Sequence, residues 1–306
     1  MTRRRLDGIL VLDKPAGISS NAALQHAKRL FEAAKAGHSG TLDPLASGVL
    51  PVLFGEAKKF SSFLLDADKE YLADVRLGVR TKTGDAEGEV ISRSAVTIDD
   101  AALEPALARF RGEIDQVPPM HSALKYGGRP LYEMARRGVT VPRAPRRVAI
   151  HALELIERSG DLLRIRVACS KGTYVRVLAE DLGAVLGPGA HLAALQRTVA
   201  GRFTLAQAVT LEALGRMDPA AREQVLLPVE ALLQGLPPVH LEESLAGAFL
   251  NGRIVACTDG PQGQRRVYAG AADLLGVGEV GPGGSLRPLR LLARGAQAAE
   301  IPRKTL

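Results

Sequence analysis

The chain opens on a short apolar run, Gly8-Ile9-Leu10-Val11-Leu12, closed by Asp13-Lys14-Pro15, which predicts a buried strand of ordinary length. Ser19-Ser20-Asn21 offers cap side chains, and Leu24, Ala27, Leu30 and Phe31 follow at helical spacing. Residues 37–51 lose both periodicities. Gly37, Gly40, Gly48, Pro44 and Pro51 make that stretch a shaped loop rather than a helix or a central strand. Val52-Leu53-Phe54 then reads as a strand and 56–65 as a short helix. From Tyr71 the pattern alternates, with Tyr71, Ala73, Val75 and Leu77 set against Leu72, Asp74 and Arg76. This is a half-exposed strand that places Tyr71 on the core face. Residues 83–89 form a turn, Val90 opens a hairpin partner, and 99–111 are helical. Strands are predicted at 148–157 and 162–169, where Leu163, Ile165, Val167 and Cys169 share a face. Helical spacing returns over 175–186 (Val177, Leu178, Leu182, Val185), with Gly187-Pro188-Gly189 as the stop. Residues 192–195 and 197–203 are extended.

Hairpins join these strands as often as helices do. The order excludes the strict alternation of a doubly wound sheet and predicts an α+β fold, a mixed, largely antiparallel sheet flanked by helices. Composition changes at Leu233-Gln234-Gly235-Leu236-Pro237-Pro238, so a boundary is placed there, giving units 1–235 and 236–306. The second unit has a short helix over 242–250, stopped by Asn251-Gly252, and then short strands with Gly-rich turns: a small β-rich module.

At 306 residues, 46% hydrophobic and 24% charged, the chain can bury a large core in more than one domain. No run has the length of a membrane span, and the apolar stretch after Arg3-Arg4-Arg5 is interrupted too soon for a signal peptide, so a cytoplasmic location is expected. Cys169 and Cys257 show no metal-ligand spacing, and no metal is expected. The net charge of +7 permits a polyanionic partner without requiring one. Its distribution says more. Lys125, Arg129, Arg136, Arg137, Arg143, Arg146 and Arg147 crowd into the irregular 118–147 insertion, opposed there by Glu133 and interleaved with Tyr126 and Tyr132. Cations that neutralise phosphates beside rings that stack on bases suit an RNA-facing element, against the plainer alternative of a solvated basic loop.

Asp43 is the candidate for chemistry. It is the only acid between Glu32 and Glu56, it precedes a proline that holds it extended, and His38 is nearby. A carboxylate fixed in a shaped loop without a like charge beside it suits a nucleophile or general base, although Asp-Pro pairs also begin ordinary turns.

The run Gly40-Thr41-Leu42-Asp43-Pro44-Leu45-Ala46-Ser47-Gly48-Val49-Leu50 resembles the nucleophile loop of the TruB family, bacterial tRNA pseudouridine synthases that modify uridine 55 in the T-arm. Four further blocks resemble family motifs in the same order: Leu12-Asp13-Lys14-Pro15-Ala16-Gly17, Lys69-Glu70-Tyr71, Ser122-Ala123-Leu124-Lys125, and Cys169-Ser170-Lys171-Gly172-Thr173-Tyr174-Val175-Arg176. The resemblance implies the pseudouridine synthase fold and a PUA-like C-terminal RNA-binding domain. It implies base flipping and an aspartate nucleophile, Asp43, with Arg176 as the active-site cation and Tyr71 stacking on the target base. Tyr174 becomes a substrate contact, Leu195 a pocket wall, and His38 the residue that helps displace the base. Lys14 is expected to bind substrate phosphate or to support the Asp43 loop. Such an enzyme needs no cofactor. The 118–147 insertion argues against a synthase that works inside a guide-RNA complex, because a stand-alone enzyme must grip its own RNA, so no guide RNA or protein partner is expected; nothing indicates an oligomer, and a monomer is the default.

Thr83-Gly84-Asp85 also resembles a family block. Asp85 is not expected to be a second catalytic acid, because Glu87 and Glu89 suggest that its turn faces solvent. Gly276-Val277-Gly278-Glu279-Val280-Gly281 fits a dinucleotide-loop pattern, but Pro282-Gly283-Gly284 cannot open the helix such a loop requires. No phosphate loop and no G-x-S-x-G elbow occurs.

Overall fold

The computed structural model describes residues 3–257 and 261–293. The strands of the main sheet are, in chain order, β1 (Gly8–Lys14), β2 (Ala36–His38), β3 (Ser47–Phe54), β4 (Lys69–Leu77), β5 (Gly112–Gln116), β6 (Arg146–Ser159), β7 (Leu162–Cys169), β8 (Ala190–Ala200) and β9 (Val209–Thr210). They lie in the order β9-β1-β3-β8-β4-β7-β6-β5, with β2 paired to β3 and Phe203–Thr204 to β8. Two contacts are parallel, β1 with β9 and β3 with β8; the remaining pairs are antiparallel.

The sequence patterns follow from which faces are covered. On β1, Leu10 and Leu12 join the principal core while Ile9 and Val11 join a second apolar cluster on the opposite face. A strand buried on both faces needs a continuous apolar run, which is what residues 9–12 supply. On β4 only one face is covered. Tyr71, Ala73, Val75 and Leu77 are buried, while Glu70, Asp74 and Arg76 lie on the outer face.

The helices of this region include α1 (Ser20–Leu30), α2 (Leu103–Ala108), α3 (Leu131–Arg136) and α4 (Val175–Leu186). Ser19 caps α1 by accepting from Ala22 N, as its sequence position suggests. Residues from α1, α2 and α4 fill the principal core against the inner face of the sheet.

The Asp43 segment is only half loop. Residues 39–46 are irregular, but Ser47 to Phe54 continue as strand β3 through Gly48 and Pro51. The proline is tolerated because of where its missing N–H falls. Its carbonyl accepts from Ser39 N, so the same residue's nitrogen also faces the side where β2 ends. Gly48 is fixed by close approach. It has φ +100°, and a Cβ there would lie 2.2 Å from the Arg197 carbonyl oxygen.

The 118–147 insertion is largely irregular, with a two-stranded hairpin of Lys125–Tyr126 and Arg129–Pro130 followed by α3. Beyond Leu236 lies a separate five-stranded sheet, packed with helix α5 (Glu243–Leu250), forming the small β-rich, PUA-like module. Val277 on its strand Asp273–Val280 reaches back into the second apolar cluster of the larger unit. The Gly276–Gly281 pattern falls on that same strand and the turn after it, and Gly276 lets the Arg290 carbonyl approach closely. Among the described residues no helix is long and apolar enough to cross a membrane.

Candidate active site

The ends of several elements converge at one end of the sheet. In register, Lys14 at the close of β1 stands opposite Gly48 near the start of β3. Gly48 stands beside Arg197 on β8, and Arg197 opposite Tyr71 on β4. Lys69 on β4 pairs with Cys169, the last residue of β7, after which a short turn leads into α4 and Arg176. Motifs scattered over more than a hundred positions are thus brought to one cleft by strand register.

Arg176 is its centre. The side chain is 5% exposed, with Nη2 2.9 Å from Asp43 Oδ2 and Nη1 3.5 Å from Asp85 Oδ2. Nη2 also donates to the His121 carbonyl (2.7 Å) and Nη1 to the Thr83 carbonyl (3.3 Å). A cation in the first turn of a helix opposes the macrodipole, so helix stability does not explain its presence. Two carboxylates and two carbonyls compensate it, the satisfied arrangement that a buried guanidinium requires. Asp43 leaves 40% of its side chain open to solvent and so stays accessible at the cleft mouth. Burial raises its pKa, with Asp85 adding to the rise while Arg176 and Lys14 oppose it. A carboxylate made more basic in this way is a better nucleophile once ionised.

Asp85 is not in solvent. Its side chain is 5% exposed, and its Oδ1 accepts from Thr83 Oγ1 (2.5 Å) and from Glu87 N (3.2 Å). The sequence expectation fails here because the neighbouring acids point outward while Asp85 turns inward to meet Arg176. Glu87 stays at the surface, and partial desolvation of its carboxyl, with the charges of Asp85 and Asp43, raises its pKa.

Tyr71 is almost wholly buried in the core yet belongs to the cleft. Burial pushes its hydroxyl pKa up; the nearby Arg197 cation pulls the other way, and it senses the Asp43 charge. Arg197, 1% exposed, was not singled out in the sequence. It donates to Val49 O (2.7 Å) and Gly40 O (2.9 Å), tying β8 to both ends of the loop that carries Asp43. The signal was available: Arg197 is the single Lys, Arg, Asp or Glu in the 190–200 run, whose other residues are apolar or neutral polar apart from His191. Gln116, also missed, is 2% exposed and holds Tyr174 by both backbone groups, accepting from its N (3.0 Å) and donating to its O (3.3 Å).

The Tyr174 side chain lies within the field of Arg176 and Asp43, and burial raises its pKa. Leu195 is half-buried against the principal core, opposite Ala73 and two residues from Arg197. His38 lies on β2, with its pKa lowered by burial and by Arg197, and its Nδ1 is buried without a hydrogen-bond partner.

Lys14 is not available to substrate. It is 0% exposed, and its Nζ donates to Pro15 O (2.9 Å), Ile18 O (2.6 Å) and Pro44 O (3.4 Å). Its pKa falls to about 8, driven by desolvation and opposed by Asp43. Of the two roles considered for it, support of the Asp43 loop is the one the geometry allows.

In the insertion, Lys125, Arg129, Arg136, Arg137 and Arg146 are exposed and have no carboxylate within ion-pair distance among the described residues. Arg136 stacks over Tyr132 at 5.6 Å. Arg147 differs, because it pairs with Asp115 (3.4 Å) and Glu113 (3.5 Å) on β5 and is already neutralised. Arg143 is half-buried with its Nε unpartnered. No cluster of His, Cys, Asp and Glu among the described residues has metal-binding geometry.

Three family models match the chain in succession: the TruB family pseudouridylate synthase N-terminal domain over residues 28–175, the tRNA pseudouridylate synthase B C-terminal domain over 176–234, and the pseudouridine synthase II TruB C-terminal model over 237–292. Similar relatives include tRNA pseudouridine synthase B of Dechloromonas aromatica, 57% identical over 289 residues, 94% of this chain and 96% of that one. The protein of the same name from Azoarcus sp. is 56% identical, covering 95% and 96%. Among solved structures, a chain of the archaeal box H/ACA sRNP Nop10-Cbf5 complex superimposes with a TM-score of 0.68 at 26% identity, over 90% of this chain and 79% of that chain. With a polarised aspartate–arginine pair at the meeting point of its motifs and relatives more than half identical over nearly its full length, the chain belongs to the TruB family of pseudouridylate synthases.

Proposed function

We propose that this protein isomerises uridine 55 in the T-arm of tRNA to pseudouridine, with the base flipped out of the folded RNA and Asp43 as nucleophile. The observation that carries the reading is the contact of 2.9 Å between Asp43 and the buried Arg176, at a cleft mouth where the carboxylate stays accessible. A base inside folded RNA reaches such a recessed group only by leaving its stack. Arg176 holds the carboxylate aimed and charged, Tyr71 and Leu195 supply apolar surface for the uracil ring, and Tyr174 flanks it. His38, kept neutral by its surroundings, fills the gap that the base leaves. The isomerisation detaches and reattaches the same base, so it is redox-neutral and calls for no cofactor.

Residues 1–235 form the catalytic unit in this reading, and 236–306 the accessory RNA-binding unit. Lys125, Arg129, Arg136, Arg137 and Arg146 grip phosphates, and the guanidinium contact with the His121 carbonyl ties the start of that insertion to the catalytic cation. The monomer acts without guide RNA.

The test is pseudouridine mapping on an unmodified tRNA transcript incubated with purified protein alone. Wild type should convert position 55, and Asp43→Ala should give no product while still binding tRNA. Product from the variant removes the nucleophile assignment. No product from the wild type without added RNA or protein removes the stand-alone reading.

A further inference from the structure

The turn that brings Asp85 to Arg176 has a second side. It belongs to the hairpin formed by Val79–Thr81 and Val90–Arg93, and a groove of about 550 Å³ runs behind it. Arg76, Arg93, His191, Thr81, Val90 and Asp161 are among the residues that line it. The groove is of a size that takes a nucleotide-sized ligand.

Its charge is unbalanced in a specific way. On the outer face of β4 the other charged residues are matched, Glu70 to Arg166 (2.6 Å) and Asp74 to Arg164 (2.8 Å). Arg76 follows on that face with no carboxylate in ion-pair reach among the described residues, and its cross-strand neighbours are Leu162 and His191. Arg93 approaches from the hairpin, equally unpaired among the described residues. His191 is nearly buried, and its Nδ1 lies 2.9 Å from Val79 O. Asp161 also lines the groove, but its carboxylate lies within 4.0 Å of neither arginine's nitrogens.

We infer that this groove binds a phosphate group, held between Arg76 and Arg93 behind the active-site hairpin. Two arginines line this one groove with neither engaged by a carboxylate among the described residues, and guanidiniums offer the planar donor forks that match phosphate oxygens. The site is coupled to the cleft by position: Thr81 donates to the Asp85 carbonyl (2.7 Å), so an occupant touches the turn that fixes Asp85. The phosphate could be that of a free nucleotide or of the RNA substrate's own backbone; the second source rests on the tRNA reading above, the first does not.

The two sources separate in one experiment on the full chain. Wild type, Arg76→Gln/Arg93→Gln and Arg76→Lys/Arg93→Lys are titrated calorimetrically with inorganic phosphate and with adenosine monophosphate. The salt dependence of tRNA binding is measured for the same three proteins. Binding of the small phosphates that the glutamine variant loses and the lysine variant partly restores identifies a free-ligand site. No small-ligand binding, but a salt slope lower by about one to two in the glutamine variant, identifies a backbone phosphate contact. If all three proteins bind phosphate, nucleotide and tRNA alike, the inference is overturned. Loss of tRNA activity in wild type would strike the function proposed above while leaving the calorimetric arm intact.

Discussion

Replacing Arg197 by methionine keeps most of the side-chain volume and removes every donor. Two backbone carbonyls, Val49 O and Gly40 O, lose their charged partner inside a site that is 1% exposed at this side chain. A buried acceptor left unmade costs about 1–3 kcal/mol. Gly40 is only half-buried, so water can recover part of its loss, and removing a desolvated cation returns something more. The balance is a destabilisation of about 2–4 kcal/mol, or roughly 4–16 °C in the melting temperature of a unit of this size. The catalytic effect exceeds what stability explains. Arg197 ties the Asp43 loop to β8 and stands opposite Tyr71, whose hydroxyl feels its charge, so the variant loosens a nucleophile and alters its platform together. A displacement of about 1 Å at such a centre lowers turnover on the order of a hundredfold. Thermal melting and single-turnover pseudouridine formation, both run well below the variant's melting point, measure the two effects separately. A variant within 1 °C of wild type and within twofold of its rate would refute the reasoning, because neither carbonyl nor ring would then depend on the guanidinium.

Asp43→Asn should abolish product yet raise the melting temperature slightly at neutral pH. The folded pKa of Asp43 lies above its unfolded value, so the fold binds more protons between the two, and stability falls as pH rises through that window. A lower melting temperature than wild type would contradict that sign. Asp85→Asn removes a charge that raises the Asp43 pKa, so the acid limb of the pH–rate profile should move to lower pH, with turnover reduced tenfold or more as Arg176 loses its second carboxylate. An acid limb that stays in place would separate the two groups. Arg136→Gln with Arg137→Gln should weaken tRNA binding and lower its salt slope by about one to two, whereas Arg147→Gln should leave the slope nearly unchanged because Asp115 and Glu113 already neutralise it. Equal effects from both substitutions would show that the β5 acids release Arg147 to the RNA.

Much of the architecture was legible because it is local. The 175–186 helix, the alternation from Tyr71 to Leu77 and the hairpin after the 83–89 turn each depend on neighbours a few residues away. The errors arose where distant chain segments set the environment. Pro51 reads as a loop residue until β2 is seen to end beside its nitrogen. Asp85 reads as solvent-facing until Arg176 is placed next to it. Lys14 reads equally as a phosphate contact or as a support of the Asp43 loop, and the choice falls to the second only once three carbonyls enclose it.

The order of motifs, the residue types able to do chemistry and the identity of the family are properties of the chain written out. Which charges meet is not, since electrostatic partners are chosen by distance in space and strand register alone brings Lys14, Gly48, Arg197 and Tyr71 side by side. Burial then sets their behaviour: the same arginine is a hydrated surface group at position 137 and a fixed structural cation at 197, because only the latter is withdrawn from water.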